Sequence, residues 1–529
     1  MDDDIISRLP EHLKHHILSL IPGIKEVART SSLSKSWLRT WRSFQITEIH
    51  PWLIMPREAI DDIFKSGRGN VHSERFVRLV DDILMRSRDG MPRFVIYVTF
   101  DMIPHVGRWV DLALDYRVQE LSIGIVNGKF QFPDPARVLS TKFIKSLSLS
   151  GIKVDGISAV NLPSLLSLQL YNSVINEEMF QRLIGGCPLV EDLTVFRCNP
   201  LSEIELSNLN YLKRVNLGTC RPDLNVRIKA PGLERFEFSH QLTIERVGGL
   251  VFDVSPSVTC LELARMNKSD EWFCHLLSKF PLLESLTLLL FASLRRIRIS
   301  NPHLKKISIE SCFHLEDIRI DTPKLLSFRY ENHYSISQWT LPFIWTDNAP
   351  YSCAFGLEIS FDQDPPGQCL EKLQKFLIGW SATFRCLEST VCLCQHGERI
   401  DEDMKKKLAL SAPGIQYMIF EFFPEASQSQ DIKFLILDCL FHTCRPTSVI
   451  LRVPDPLLEL ICKAFVRKEE DPDYPDCCSS AGGSSCFCHG LKDAKIDRFE
   501  GTHDGRPLDW STLCSLLPVE VRIRLQWWD

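Results

Sequence analysis

Two clusters of soft ligands and one set of recurring arginines are the residues of this chain whose types and spacing could do chemistry. Cys392, Cys394 and His396 form C-x-C-x-H, and Cys477, Cys478, Cys486, Cys488 and His489 gather in a polar stretch. Thiolates and imidazoles in that number could chelate zinc. Yet no two cysteines stand at C-x-x-C spacing, and adjacent cysteines or C-x-C pairs are awkward for a tetrahedral site. Nothing orients a base beside a thiol, so a Cys–His nucleophilic pair lacks support. No G-x-x-x-x-G-K-S/T loop occurs, which removes nucleotide hydrolysis of that type. The expectation is free cysteines, no metal, no cofactor and no catalytic residue.

The arginines offer binding. Arg227, Arg298 and Arg319 recur in the short phrases VRI, IRI and IRI, and Arg329 lies in SFRY. A guanidinium binds carboxylate or phosphate through two parallel hydrogen bonds. Arg298 and Arg319 are 21 residues apart. If one structural repeat separates them, they sit about 5 Å apart on neighbouring strands. Like charges that close need an anion or screening, so these arginines are candidates for holding an acidic or phosphorylated segment of a target. The alternative is a solvated column partly neutralised by Glu310, Glu316 and Asp317.

A repeat does separate them. The phrase P-x-φ-x-x-φ-x-φ, with φ apolar, starts at Pro163, Pro188, Pro231, Pro256, Pro281, Pro302 and Pro323, and Asn210 fills the one gap. The steps are 25, 22, 21, 25, 25, 21 and 21 residues, a leucine-rich-repeat period. The φ-x-φ ending is the period-2 mark of a half-buried strand. Two of the 25-residue steps carry helical return paths, INEEMFQRLIGGC and DEWFCHLLSKF, whereas the shorter steps carry IEL, VRI, IRI and IRI. A helix rises less per residue than a strand, so a helical return needs more residues. The step after Pro231 is long without reading as helix. Degenerate copies appear at VQELSI and IKSLSL, and beyond residue 332 the proline period fades while strand-like phrases persist. Residues between the φ positions, such as Gln169, Thr194, Asn216, Glu237, Glu262, Thr287 and Ser308, are expected to face solvent.

The bulk composition, 44% hydrophobic and 24% charged, is that of a globular chain. Net charge −6 gives no basic field for nucleic acid or anionic lipid. The opening MDDDIISRLP lacks an apolar h-region, so no signal peptide is expected. The longest apolar run falls short of a membrane span. Nineteen scattered cysteines then read as small buried hydrophobes in a reducing compartment.

Residues 5–42 carry the densest pattern. Leu13, Ile17 and Leu20 recur at helical spacing after Pro10, Pro22-Gly23 stops that helix, and Val27, Leu33, Trp37 and Trp41 mark two more. About 40 residues are too few for a helical domain to be stable alone. The pattern resembles the F-box in its plant form: Leu9-Pro10, Ile17-Leu18, Pro22, Val27, then L-S-K-x-W-x-x-x-W ending at Trp41. With the repeats, GCPLVEDL at 186–193 and a tail reading HGLKDAKIDRF, the chain resembles plant F-box proteins with leucine-rich repeats. His15-His16 departs from the more apolar residues often found there, which would weaken or pH-tune docking. No clear FBD pattern is found between about 350 and 450.

The resemblance implies an α/β fold: a short N-terminal helical F-box followed by a leucine-rich-repeat solenoid running to the C-terminus. The expected division is 1–45 F-box, 46–117 linker and N-terminal cap, 118–332 repeats, and 333–529 irregular continuation with a C-terminal cap. It implies a substrate-recognition subunit of an SCF-type ubiquitin ligase in the nucleus or cytoplasm, docking on a Skp-family adaptor and through it a cullin. Leu9, Pro10, Ile17, Leu18, Leu20, Pro22, Val27, Leu33 and Trp37 would supply or support that contact, with Ile17 and Trp37 on the presented surface. The alternative is a repeat scaffold or regulatory protein binder outside a ligase.

Overall fold

The computed structural model describes residues 6–21, 24–44, 48–51, 58, 71–87, 91–125, 130–131, 135–154, 159–218, 220, 224–240, 250–252, 257–332, 342–348, 350, 353–361, 386–393, 417–421, 437, 441, 445–452, 458–459, 461–463, 465, 490–500 and 520–528. They form two compact units, Met1–Ser255 and Pro256–Asp529.

The first unit opens with three short helices, α1 (Glu11–Leu20), α2 (Ile24–Arg29) and α3 (Lys35–Ser43). Helices α4 (Val71–Arg86) and α5 (Ile103–Asp115) follow, with strand Arg93–Val98 between them. A parallel ladder then runs through Glu48–Ile49, Arg93–Val98, Glu120–Ile125, Ser146–Ser150, Ser167–Tyr171, Asp192–Phe196, Arg214–Gly218 and Arg235–Ser239. Stacking therefore begins ahead of residue 118, with α5 as the return path of an early coil. In the second unit the parallel ladder runs through Cys260–Ala264, Ser285–Leu289, Lys306–Glu310, Ser327–Asn332, Ala354–Phe361, Cys386–Leu393, Tyr417–Glu421 and Ser448–Arg452. Glu520–Trp527 adds antiparallel to the last of these, and Leu491–Glu500 pairs antiparallel with it in turn. This change of direction ends the ladder. Strands after residue 327 start 27 to 32 residues apart, which is why the proline period is lost there while the strands persist.

The φ-x-φ register is as the sequence predicts. Leu168, Leu170, Leu193, Val195, Phe236, Phe238, Leu261, Leu263, Leu286, Leu288, Ile307 and Ile309 are all buried. Gln169, Thr194, Asn216, Glu237, Glu262, Thr287 and Ser308 are half-buried on the opposite face. The phased proline has a geometric reason. Pro163, Pro188, Pro231, Pro281 and Pro323 each occupy the second position of a turn closed by a backbone bond, for example Val190 N–H to the Cys187 carbonyl at 3.2 Å. Proline presets the φ that this turn position needs.

The return paths follow the step lengths. Glu177–Gly185 and Asp270–Leu277 are helices, capped by Asn176 and Ser269. Glu203–Leu206, Asn225–Ile228 and Leu250–Phe252 form one parallel return sheet. Arg296–Ser300, Asp317–Asp321 and Phe343–Thr346 form another. The long step after Pro231 thus returns through a strand, with residues 241–249 outside those described.

A second register locks the main strands. Gly151, Asn172, Arg197, Arg265, Leu290 and Ser311 each follow a main strand with φ between 48° and 71°. Each donates its N–H to a carbonyl at the end of the next strand, at 2.7–2.9 Å, the last residue's in five cases and that of Glu331, one before the last, for Ser311. Two residues after the strand, a small buried donor closes the turn. Ser173, Cys198, Cys220 and Cys312 each reach the carbonyl that ends their own strand. Three of the scattered cysteines, Cys198, Cys220 and Cys312, are thus structural. Burial pushes the thiols of Cys187 and Cys312 up to about 12 and that of Cys220 to about 11.

Two outcomes test this account. Leu286→Asp buries an unpaired charge and should lower stability by more than about 4 kcal/mol, whereas Thr287→Asp should cost less than about 1 kcal/mol in thermal melts. Equal damage at both would break the register. In native alkylation mapped by mass spectrometry, exposed Cys274 should label at neutral pH while Cys187, Cys220 and Cys312 stay thiols. Fast labelling of Cys312 in folded protein would contradict its burial.

Candidate functional site

The N-terminal helices fold around few residues. Leu18, Val27 and Trp37 form the buried cluster, with Ile17, Ile21, Trp41 and Phe44 packed against it. Ser34 caps α3 by accepting the Trp37 N–H at 3.2 Å. Ser34 Oγ also lies 2.8 Å from Ser7 Oγ, and Lys14 Nζ donates to Ser36 Oγ at 2.6 Å. These bonds tie the N-terminal turn and α1 to α3.

Two neighbouring stripes run along α1. Lys14, Leu18 and Ile21 follow helical spacing on the packed side. Leu13, Ile17 and Leu20 are the adjacent stripe, at 40% exposure for Leu13 and 69% for Leu20. Leu33 is 66% exposed at the turn before α3, and Ile6 is 58% exposed. Pro10 is exposed and Leu9 half-buried. An apolar stripe in water beside a small core costs free energy unless a partner covers it.

This corrects one expectation. Trp37 is only 3% exposed, and with Leu18 and Val27 it is core rather than presented surface. These three support the surface from below. Ile17 is half-buried between core and exterior. Pro22 lies outside the described residues. Ile6 and Leu13, not chosen from the sequence, belong with Leu20 and Leu33 among the exposed apolar residues. Leu13 carried the signal, since it stands four and seven residues before Ile17 and Leu20. His15 is half-buried, 3.7 Å from Glu11 and 5.9 Å from the Phe44 ring, and His16 is exposed.

The four arginines separate. Arg227 lies in the first unit, in register with Glu205 and Val251. Arg329 lies on a main strand of the second unit and pairs with Glu331. Only Arg298 and Arg319 come together, as direct register partners on the return sheet of the second unit. Arg298 is 3.9 Å from Asp321 and Arg319 is 3.6 Å from Asp317, both longer than a hydrogen bond. Asp321 instead accepts from Ser300 at 3.2 Å and Asn348 at 2.7 Å. Trp345 continues the row beyond Arg319. Trp345 and Phe343 are 54% and 57% exposed. The alternation in FIWT was the missed signal.

Other exposed apolar residues have local reasons. Leu189, Tyr211 and Leu282 sit at turn tips just after the phased proline or asparagine. Among the described residues no group of His, Cys, Asp and Glu is placed to hold a metal. Cys394, His396 and the cluster from Cys477 to His489 lie outside them. No described helix is long and apolar enough to cross a membrane.

Comparison with known proteins follows this geometry. The F-box domain model matches residues 6–48. A model described as FBD-associated F-box protein At5g56370, LRR repeats, matches residues 106–255, ending where the first unit ends. Among Arabidopsis thaliana proteins, F-box/LRR-repeat protein At3g26922 is 30% identical over 215 residues, 39% of this chain and 63% of its own length. F-box/LRR-repeat protein 25 is 26% identical over 238 residues, 43% of this chain and 83% of its own length. F-box protein At5g03100 is 26% identical over 215 residues, 40% of this chain and 63% of its own length. The chain spans about half the length of most of the curated relatives it matches.

The core and surface assignment is testable in the full chain. Trp37→Ala should cost about 3–5 kcal/mol, enough to expose residues 6–44 to limited proteolysis. Leu20→Ala and Leu33→Ala should shift stability by no more than about 0.5 kcal/mol. Proteolytic resistance of Trp37→Ala would refute the buried cluster.

Proposed function

We propose that this chain, which carries an F-box domain and plant-type leucine-rich repeats, is the substrate-recruiting subunit of an SCF-type ubiquitin ligase. The observation that carries the reading is the pairing of a matched F-box, whose α1 leaves an apolar stripe exposed, with a long array of repeats. The F-box docks on a Skp-family adaptor, the adaptor bridges to a cullin, and the repeats hold the target, in the nucleus or the cytoplasm. Ubiquitin transfer belongs to a separate conjugating enzyme, so what this chain supplies is two binding surfaces.

The residues divide the work. Leu13, Leu20 and Leu33, with Ile6, Leu9 and Pro10 beside them, enter the adaptor's groove as a helix-borne apolar patch. Leu18, Val27 and Trp37 hold that patch in shape. An aliphatic anchor at such an interface is typically worth about 2–4 kcal/mol, or roughly 30- to 1000-fold in affinity.

Co-expression with a Skp-family adaptor tests this. Leu20→Glu with Leu33→Glu should abolish co-purification while the melting transition of the repeats is kept. Trp37→Ala should lose the adaptor too, but with the helical unit unfolded. Normal capture of adaptor and cullin by the folded Leu20/Leu33 double variant would overturn the docking assignment. A wild-type chain that binds no adaptor would favour the scaffold reading.

A further inference from the structure

We propose that the main-strand face of the first unit holds an aromatic-walled slot, between Tyr97 and Tyr171, that docks one neutral sugar ring carried on a target protein. This rests on the target-recruiting reading above and names the chemistry of the target. Strands Arg93–Val98, Glu120–Ile125, Ser146–Ser150 and Ser167–Tyr171 are successive neighbours in the ladder. Tyr97, Gly124, Ser150 and Tyr171 are register partners in one row across them.

Both walls are braced. The Tyr97 ring overhangs Gly124 and takes the space a side chain would need there, since a Cβ would lie 2.5 Å from the ring edge. His50, in register on the opposite side, packs behind that ring at 4.9 Å. Across the slot, partial burial raises the phenol of Tyr171 above its usual range, hydrogen bonding with Thr194 works the other way, and Tyr97 adds to the rise. The two phenols therefore border one space. Thr194 is on the neighbouring strand away from the slot, so Tyr171 leans back and leaves the slot open. From Gly124 to Tyr171 is two strand spacings, about 10 Å. That leaves room for one pyranose ring between the two aromatic rings.

The floor is hydroxyl. Ser122, Ser146, Ser148, Ser150, Ser167 and Gln169 are half-buried on this face, and none of their side chains hydrogen-bonds another described residue. By contrast Ser308, at the matching position in the second unit, already donates to Glu310 at 2.8 Å. A serine hydroxyl both donates and accepts, as the hydroxyls of a sugar do. Tyrosine with serine and glycine is also the composition of antibody paratopes, because it joins rigid contact area to adaptable hydrogen bonding.

Charge complementarity selects a neutral occupant. The rim charges are matched among themselves, Arg93 with Glu48 and Glu120, and Arg214 with Asp192. A charged ligand would lose hydration in the slot and gain no counter-charge. The leucines of these strands are buried on the other face, so an apolar segment would find only the two tyrosine rings. A sugar uses both parts, its C–H face against the rings and its hydroxyls on the serines.

Fluorescence anisotropy on the full chain tests this with a labelled Gly-Gly-Ser-Gly-Gly peptide bearing N-acetylglucosamine, mannose or galactose on its serine. The comparisons are the unmodified and the phosphoserine peptide. The best of the three sugar peptides should bind at least about tenfold tighter than the unmodified one. Ser148→Val with Ser150→Val should weaken it at least about tenfold, and Tyr171→Ala should do the same, with the melting transition kept. Ser285→Val, on the main-strand face of the second unit, should leave binding as it is. No preference for any sugar peptide, normal binding by the folded serine double variant, or tighter binding of the phosphoserine peptide would overturn the proposal. Adaptor capture is measured on the same preparations. Adaptor capture without sugar binding overturns this surface alone. Sugar binding without adaptor capture overturns the ligase reading instead.

Discussion

A coil of 21 to 25 residues carries rows of inward aliphatic side chains, and it can bury them only against the coil before and the coil after it. That requirement propagates. It fixes Leu193 over Leu168 and Val195 over Leu170, and so down each ladder. It also fixes which side chains remain outside, because the period of a strand is two. The exposed faces are therefore by-products of the core: every exposed column is the complement of a buried one. A one-residue slip would exchange them, sending Arg298 inward and Ile297 out.

The turns hold that register against slippage. Residues with left-handed φ follow six of the main strands, yet only one of the six is glycine. Arg197, Arg265 and Leu290 accept this conformation although it costs a side chain roughly 1–2 kcal/mol. Each gains a backbone bond to the next strand's last carbonyl, and the small Ser or Cys two positions after the strand adds another in several coils. Strain is accepted where the neighbouring coil already dictates the path. Such positions are hard to read in a sequence, since Arg and Leu give no sign of positive φ. The cysteines left a trace, but it looked like scatter until the turns gave it a period.

How much could be read beforehand depended on whether a pattern fixes direction. The repeat phrases did, because alternation next to a phased proline says which residues face in. The twelve inward positions and the adjacency of Arg298 and Arg319 followed from it. Helical spacing in the F-box gave a face without saying which way it points. Leu13/Ile17/Leu20 and Lys14/Leu18/Ile21 are neighbouring stripes of one short helix, and the tryptophan that seemed most like an anchor is core. Arg329 differs from Arg298 in the strand that carries it. It shares a residue type with Arg298 but belongs to a main strand, where Glu331 pairs with it. Phe343 and Trp345 escaped notice because they come after the proline period has faded.

These two surfaces differ in what sets their strength. The exposed residues of the first helix are aliphatic, so covering them is driven by area removed from water. The return-sheet row is ionic with an aromatic end, and its ion pairs to Asp321 and Asp317 weaken as salt screens the guanidiniums. It also follows that each surface can be altered alone. Charge at Leu20 leaves the packed floor under Arg298 untouched, and charge reversal at Arg298 leaves the Leu18–Val27–Trp37 cluster untouched, because neither change reaches a buried residue of the other.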